Sequence, residues 1–432
     1  MTGAFIKIIE NLHRRIFRHE MSPTMRAFFG NLSWSMLGYF VGGLISFVVM
    51  ILAGRILGPN EYGNYNLVLT IGSFLAAFML FGFDTTSVKY ISSSKDPGRK
   101  KEAISNTLLL TAITAFVFLV STLIFSARIS HYLNTTQTLV IFGAVAGLVV
   151  MCSALTDGFI RSLQKYKFQS IVNILQSVII FVLFIIFYII LRKSSYQYYA
   201  GILIFSTLVV IVIYLISIRD QIVSWSSTMW KKMLPYWKLT LATSLISVVI
   251  TSIDKFFLSH YLGAAELGLY SAYLLTSSLI IAHLMSAFIN VFFPMINNSG
   301  NQLAILKKVD RLTLIGFVPA MAIILAITFV VVKLFGSQYP LNFRYLTIVS
   351  LIAFMQIVVV SYSSLISSSV KMYKRSVKIY YFKPIVIALL VILLIAKPGL
   401  ISIYTVFLFS IISYLYDIIS ARSCFYLARE VL

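Results

Sequence analysis

What most limits the fold of this chain is its series of long apolar stretches. Twelve lie at about 34–54, 64–88, 103–125, 137–158, 169–191, 199–218, 239–259, 267–292, 312–335, 345–367, 379–396 and 400–420. Each is close to the roughly 20 residues that a helix needs to cross the hydrocarbon of a bilayer. The runs are too long and too uniformly apolar for barrel strands, whose residues alternate. Only a helix satisfies its own backbone polar groups within one such segment. The expected fold class is therefore all-α integral membrane, with about twelve transmembrane helices. Charged residues make up 11% of the 432 residues and mean hydropathy is +0.94. A soluble domain carries about 25% charged residues, so too few remain here to cover an aqueous surface. An enzyme with a large aqueous domain is disfavoured on the same ground.

The charges that remain are strongly one-sided. Thirty-five Lys and Arg face 13 Asp and Glu, a formal net charge of +22. In a membrane chain this excess points to topology and to anionic membrane lipid as a partner, with no nucleic acid implied. If the N-terminus is cytoplasmic, 26 basic residues fall on the cytoplasmic side, 7 fall outside, and Lys255 and Lys383 lie within spans. The positive-inside rule then places both termini in the cytoplasm of a multi-pass protein of the cytoplasmic (cell) membrane.

The first 20 residues carry Lys7, Arg14, Arg15 and Arg18 and lack the apolar core of a cleavable signal. Phe5, Ile8, Ile9, Leu12 and Ile16 recur at helical spacing, so residues 1–30 are expected to form an amphipathic segment on the inner leaflet. All four tryptophans, Trp34, Trp225, Trp230 and Trp237, fall at or near the expected inner interface, as aromatic anchors do. Cys152 and Cys424 sit in or beside apolar runs, and His13, His19, His131, His260 and His283 show no ligand spacing with them. No metal site and no cofactor is expected, and no glycine-rich loop of the ATP-binding kind is present.

An internal repeat organises the spans. The first expected outer turn, Leu57-Gly58-Pro59-Asn60-Glu61-Tyr62-Gly63-Asn64-Tyr65, matches Leu262-Gly263-Ala264-Ala265-Glu266-Leu267-Gly268-Leu269-Tyr270 at five of nine positions, with an offset of 205 residues. Leu69/Leu274 and Ser73/Ser278 extend the match. Convergent turn chemistry is the alternative reading, since glycine suits tight turns. Two equivalent sets of six spans make a repeat the better account. The division expected is an N-lobe at 31–219, an inter-lobe linker at 220–238 and a C-lobe at 239–432. Six spans per half start both halves on one side, which gives a parallel pseudo-two-fold repeat of two six-helix lobes. Two lobes that rock around a cavity favour a transporter over a channel, a receptor or a scaffold.

The stretch from Ala53 to Gly63, the stretch Ser252-Ile253-Asp254-Lys255-Phe256-Phe257-Leu258, and Val291-Phe292-Phe293-Pro294-Met295 resemble elements of the polysaccharide and oligosaccharide flippases. That family belongs to the multidrug/oligosaccharidyl-lipid/polysaccharide (MOP) exporter superfamily, and the resemblance covers about residues 30–420. It implies a flippase that translocates a lipid-linked oligosaccharide, a polyprenyl-phosphate-linked glycan, by alternating access.

Cargo with a sugar headgroup and a phosphate needs a polar, preferably cationic, path, because an unpaired charge in hydrocarbon is costly. Lys255 is the first candidate to contact phosphate. In the alternative, it and Asp254 pair with neighbouring helices and fix packing. Arg344 is either a bidentate phosphate ligand or an interfacial anchor. Lys383 either lines the cavity or snorkels to the surface. Arg161 either receives cargo or pairs with Asp157 four residues earlier. Gln356 is a candidate for sugar hydroxyls, as are Asn173 and Gln176, and interhelical hydrogen bonds are the alternative for all three. Asp84, Asp157 and Asp417 have Lys89, Arg161 and Arg422 four or five positions on, which favours local pairing. Asp254, Asp84 or Asp157 could instead bind a coupling H+ or Na+ ion. Two other functions compete. A cation-coupled multidrug exporter would want an acidic site, and deep acids are few. A membrane glycan polymerase or ligase would want a large outer loop, and the expected outer loops are about a dozen residues or fewer.

Overall fold

The computed structural model describes residues 23–275, 302–367, 376, 379–380 and 382–429. The expected amphipathic segment before residue 23, most of span eight and the Val291–Met295 element lie outside the described residues. Every regular element described is helical: α1 Pro23–Leu80, α2 Phe83–Ser93, α3 Pro97–Tyr132, α4 Gln137–Ser162, α5 Tyr166–Phe184, α6 Tyr196–Ile218, α7 Ser227–Leu262, α8 Gln302–Phe335, α9 Phe343–Ser367, α10 Lys383–Ala396 and α11 Ile403–Arg429. A further helical stretch covers 264–275. Among the described residues, nine helices are long and apolar enough to cross a membrane, and α10 is a shorter apolar helix.

The structure revises several boundaries. Spans one and two form one element, α1, broken only at Gly58 (φ 71°, ψ 171°), with Pro59 following. The expected nine-residue turn is thus a single non-helical residue. Glycine takes this backbone angle without a Cβ clash, and proline starts a helix well because its fixed φ suits the first turn and it needs no acceptor. Gly263, the repeat partner of Gly58, has φ 84° and separates α7 from 264–275 in the same way.

Span two, expected to run to residue 88, stops at Leu80. Phe81 (φ 50°) and Gly82 (φ 78°) break it before α2 begins. The carbonyls freed there find donors: Trp237 Nε1 bonds Phe81 O at 2.9 Å, and Thr86 Oγ1 and Thr240 Oγ1 bond Gly82 O at 2.9 and 3.0 Å. A break in a membrane helix persists only where such partners exist.

The chain divides into two compact units. One holds residues up to Met50, Ile71–Ala127 and Val140–Leu245. The other holds Ile51–Thr70, Arg128–Leu139 and residues from Ile246 on.

Within the first unit, small residues let helices approach closely. Gly38, Gly42 and Ser46 of α1 face Ser170 and Ser177 of α5, where a Cβ added to Gly38 would lie 2.7 Å from the Ser170 backbone. Ser46 and Ser177 share a hydroxyl hydrogen bond of 3.2 Å. Helices in lipid gain little from hydrophobicity against each other, so such close packing and hydrogen bonds hold them together. Rings of the same unit form a connected series: Phe83 stacks on Trp237 at 5.5 Å, Trp237 meets Trp230 at 5.5 Å, and Trp230 meets Trp225 at 6.3 Å.

The connection ahead of α7 is non-helical only over 222–226. It is clamped to α3: Asn106 accepts from Ser226 N at 2.9 Å and donates to Ser226 O at 2.8 Å, while Ser105 Oγ accepts from Val223 N at 2.7 Å. Each such bond contributes about 1 kcal/mol net. Asn106→Ala should speed amide hydrogen exchange over 223–227 at least about tenfold, with exchange in the middle of α4 unchanged.

Candidate functional site

The second unit carries a buried polar cluster built from four helices and the 264–275 stretch. Asp254 of α7 is mostly buried, its side chain 12% exposed. Its Oδ2 accepts from the Tyr270 hydroxyl at 2.5 Å. Its Oδ1 is buried with no hydrogen-bond partner among the described residues, and the Lys255 ammonium is 3.7 Å away. Lys255 itself donates to the Thr251 carbonyl at 2.9 Å, one helical turn back, and is 28% exposed. Tyr414 of α11 lies within electrostatic reach of both Asp254 and Asp417. It accepts a hydrogen bond from Gln356 Nε2 of α9. Lys383 of α10 is 5% exposed and bonds Asp417 Oδ2 of α11 at 2.7 Å.

This geometry corrects two expectations. Lys383 does not snorkel; it is sealed in a contact with Asp417. Asp417 was expected to pair with Arg422 on its own helix. Arg422 instead reaches Asp310 of α8 at 2.9 Å, and Asp310 Oδ1 also accepts from the Tyr362 hydroxyl of α9. Residues five apart on a helix point about 140° away from each other, so Asp417 and Arg422 each find a partner on a neighbouring helix.

Other candidates fall as follows. Arg161 pairs with Asp157 at 3.1 Å, as its spacing suggests, and Gln169 Nε2 donates to the other carboxylate oxygen at 2.5 Å. Among the described residues no ion pair is seen between Asp84 and Lys89; Lys89 sits 3.5 Å over the Tyr236 ring. Arg344 is exposed in the first turn of α9, and no ion pair of its guanidinium is seen among the described residues. Gln176 donates to Thr207 at 3.0 Å and Asn173 accepts from Tyr214 at 3.4 Å, so these amides of α5 serve interhelical bonds to α6. Among the predicted residues of the second unit, Asp254, Gln356 and Lys383 gather in one cluster, and Lys255 lies at its edge.

Sequence reasoning missed the tyrosines. It weighed only ions and amides, yet Tyr414 and Tyr270 connect them. The available signal was the Tyr414–Asp417 spacing of three, which puts both on one helix face. A cavity of about 570 Å³ lies elsewhere, in the first unit, among Phe142, Leu183, Phe187, Gln197, Tyr198 and Phe205, and none of the predicted residues lines it.

An inward-facing multidrug-resistance MATE transporter of the MOP superfamily overlays with a TM-score of 0.68 at 13% identity, covering 92% of this chain and 94% of that one. An outward-facing structure of such a transporter gives 0.59 at 16% identity over 94% and 95%. A MOP-superfamily transporter from Pyrococcus furiosus, described as having a binding pocket of reversed polarity, gives 0.55 at 14% identity over 94% and 95%. The fold is therefore that of these MOP-superfamily transporter structures. Residues 28–299 match the family model described as polysaccharide biosynthesis protein, and the chain belongs to that family. No curated protein matches closely enough to count as a relative.

The Lys383–Asp417 contact can be tested by removing one partner. Lys383→Met leaves a carboxylate buried and unpaired and should cost about 3–5 kcal/mol. That should appear as a lower melting temperature of the purified protein, with Lys383→Met/Asp417→Leu regaining most of it.

Proposed function

We propose that this chain is a flippase that carries a lipid-linked oligosaccharide across the cytoplasmic membrane by alternating access, both termini being cytoplasmic. The supporting observation is the coincidence of a polysaccharide-biosynthesis family match with a transporter fold. A member of such a family that has the build of a carrier is suited to move the glycan rather than to make it. The two lobes at 31–219 and 239–432, joined through 220–238, would rock while the headgroup passes and the polyprenyl tail stays in lipid.

In this reading Lys255 and Arg344 attract the phosphate. Both charges remain partly or fully exposed, whereas that of Lys383 is engaged with Asp417. Arg161, half exposed beside Asp157, serves at the cytoplasmic entrance. Gln356 orients Tyr414 and, through it, the polar cluster. Asp254 is the candidate for a coupling H+ or Na+ ion, because one of its oxygens is buried and lacks a hydrogen-bond partner among the described residues. Asp84 and Asp157 are weaker candidates: Asp157 is already bound by Arg161 and Gln169.

The test is headgroup translocation in vesicles reconstituted with the purified protein. Lys255→Gln and Arg344→Gln should each slow translocation at least about tenfold at unchanged protein abundance, a loss of roughly 1.4 kcal/mol or more of cargo stabilisation. Folded protein that moves no lipid-linked glycan, but expels cationic drugs, would replace this reading with that of a multidrug exporter. Asp254→Asn should leave cargo binding intact and abolish the response of transport to an imposed ion gradient. An unchanged response would assign Asp254 to packing.

A further inference from the structure

The cavity of about 570 Å³ in the first unit is lined from α4, α5 and α6, next to the connection 191–195. Its volume is that of a ligand pocket, about 300–1,000 Å³. Two backbone features shape it. Beyond α5 the chain winds as a π-helix over Ile185–Ile190, and Phe187 of that stretch lines the cavity. Such wide turns are rare and often accompany functional sites. Gly201, within α6, also lines it, and a Cβ added there would meet nothing within 4 Å. Glycine is the poorest helix former after proline, and no close neighbour requires one at 201. Its missing side chain is part of the void.

The wall is mainly apolar and one end is cationic. The rings of Phe187 and Tyr198 stack at 5.6 Å, and Phe205 and Tyr198 are exposed, so the cavity opens sideways from the unit. Lys193 Nζ lies 5.7 Å from the centre of the Tyr198 ring, and the adjacent Arg192 is exposed with it. The connection that carries both is held in place. Lys193 N donates to Phe187 O at 3.0 Å, and the Tyr188 hydroxyl donates to Ser195 O at 2.6 Å. No ion pair of Arg192 or Lys193 is seen among the described residues. Residues 158–219 contain no Asp or Glu. Asp157 of α4 lies about 22 Å along the helix from Phe142 and is already bound by Arg161 and Gln169.

We propose that this cavity holds one anionic phospholipid of the surrounding bilayer, an acyl chain among the rings and the phosphate on Lys193 and Arg192. The two cations have no carboxylate of their own, and a lipid phosphate supplies the missing charge at the depth where the chain enters. The opening is to the bilayer, where phospholipid is the abundant amphiphile, and the connection above it is tied down, as suits a resident ligand. An acyl chain that leaves lipid for an apolar cavity gains little from hydrophobicity, since both surroundings are apolar. Selectivity therefore comes from the head and occupancy from the shape of the void. This inference is independent of the cargo and of the direction in which the chain carries it.

The test titrates the full-length protein in detergent with phosphatidylglycerol and counts bound lipid by native mass spectrometry. The expected result is one tightly held phosphatidylglycerol, with a dissociation constant at least about tenfold below that of phosphatidylcholine with the same chains. Lys193→Gln combined with Arg192→Asn should raise the phosphatidylglycerol constant at least about tenfold; asparagine tolerates the left-handed backbone at 192, where φ is 49°. Gly201→Leu places a side chain in the void and should displace the same lipid, whereas Gly201→Ala should leave binding nearly unchanged. Equal affinity for the two lipids would overturn the proposal. So would undiminished binding in a folded Gly201→Leu protein. Tighter binding of a polyprenyl phosphate than of phosphatidylglycerol, lost in the same variants, would overturn it in favour of a site for cargo lipid. If Gly201→Leu does not fold, the variant of the two exposed cations decides, and unchanged affinity there would overturn the proposal.

Discussion

Hydrocarbon supplies no hydrogen bonds, and this one constraint governs nearly every feature of the chain. Each residue within the bilayer must satisfy its own peptide groups, so the chain runs as helix after helix. The exceptions confirm the rule in detail. Where the helix breaks at Phe81 and Gly82, an indole and two threonine hydroxyls take up the freed carbonyls. Where it breaks at Gly58 and Gly263, the interruption is one residue long and the next helix begins at once.

The same medium removes the hydrophobic drive that packs helices in water. Association then depends on closeness and on polar contacts between helices. Both devices recur here. Gly38, Gly42 and Ser46 bring α1 onto α5 in the first unit, and Gly63 and Gly268 bring two backbones together in the second. Amide and hydroxyl pairs such as Gln176–Thr207 and Gln356–Tyr414 join neighbouring helices.

The buried charges follow a different logic. Lys383 and Asp417 neutralise one another across two helices, whereas the Asp310–Arg422 pair that joins α8 and α11 is partly exposed. Asp254 stands apart, since its carboxylate is held by Tyr270 on one oxygen and left without a hydrogen bond on the other. Polar groups at depth are costly, so among the described residues the arrangement distinguishes charges that join helices from Asp254, which keeps unused hydrogen-bonding capacity on one oxygen.

Much of this was legible in the sequence. Apolar runs of membrane length gave the spans, because span length is a property of a single segment in its solvent. The matching corners gave the repeat, and the structure seats them on each other at equivalent positions. Pairing of Asp157 with Arg161 was also local, one helical turn apart, and was correctly read. What the sequence could not supply was every relation across helices. Asp417 had a plausible partner in Arg422 on its own helix, yet it bonds Lys383. Lys383 was expected to line the cavity or to snorkel to the surface, yet it is buried against Asp417. Gly63 and Gly268 were visible as turn residues, but not as each other's neighbours. A segment's own residues determine whether it lies in lipid and is helical. Which faces of two helices meet depends on packing among all of them, and that is set only when the tertiary structure forms.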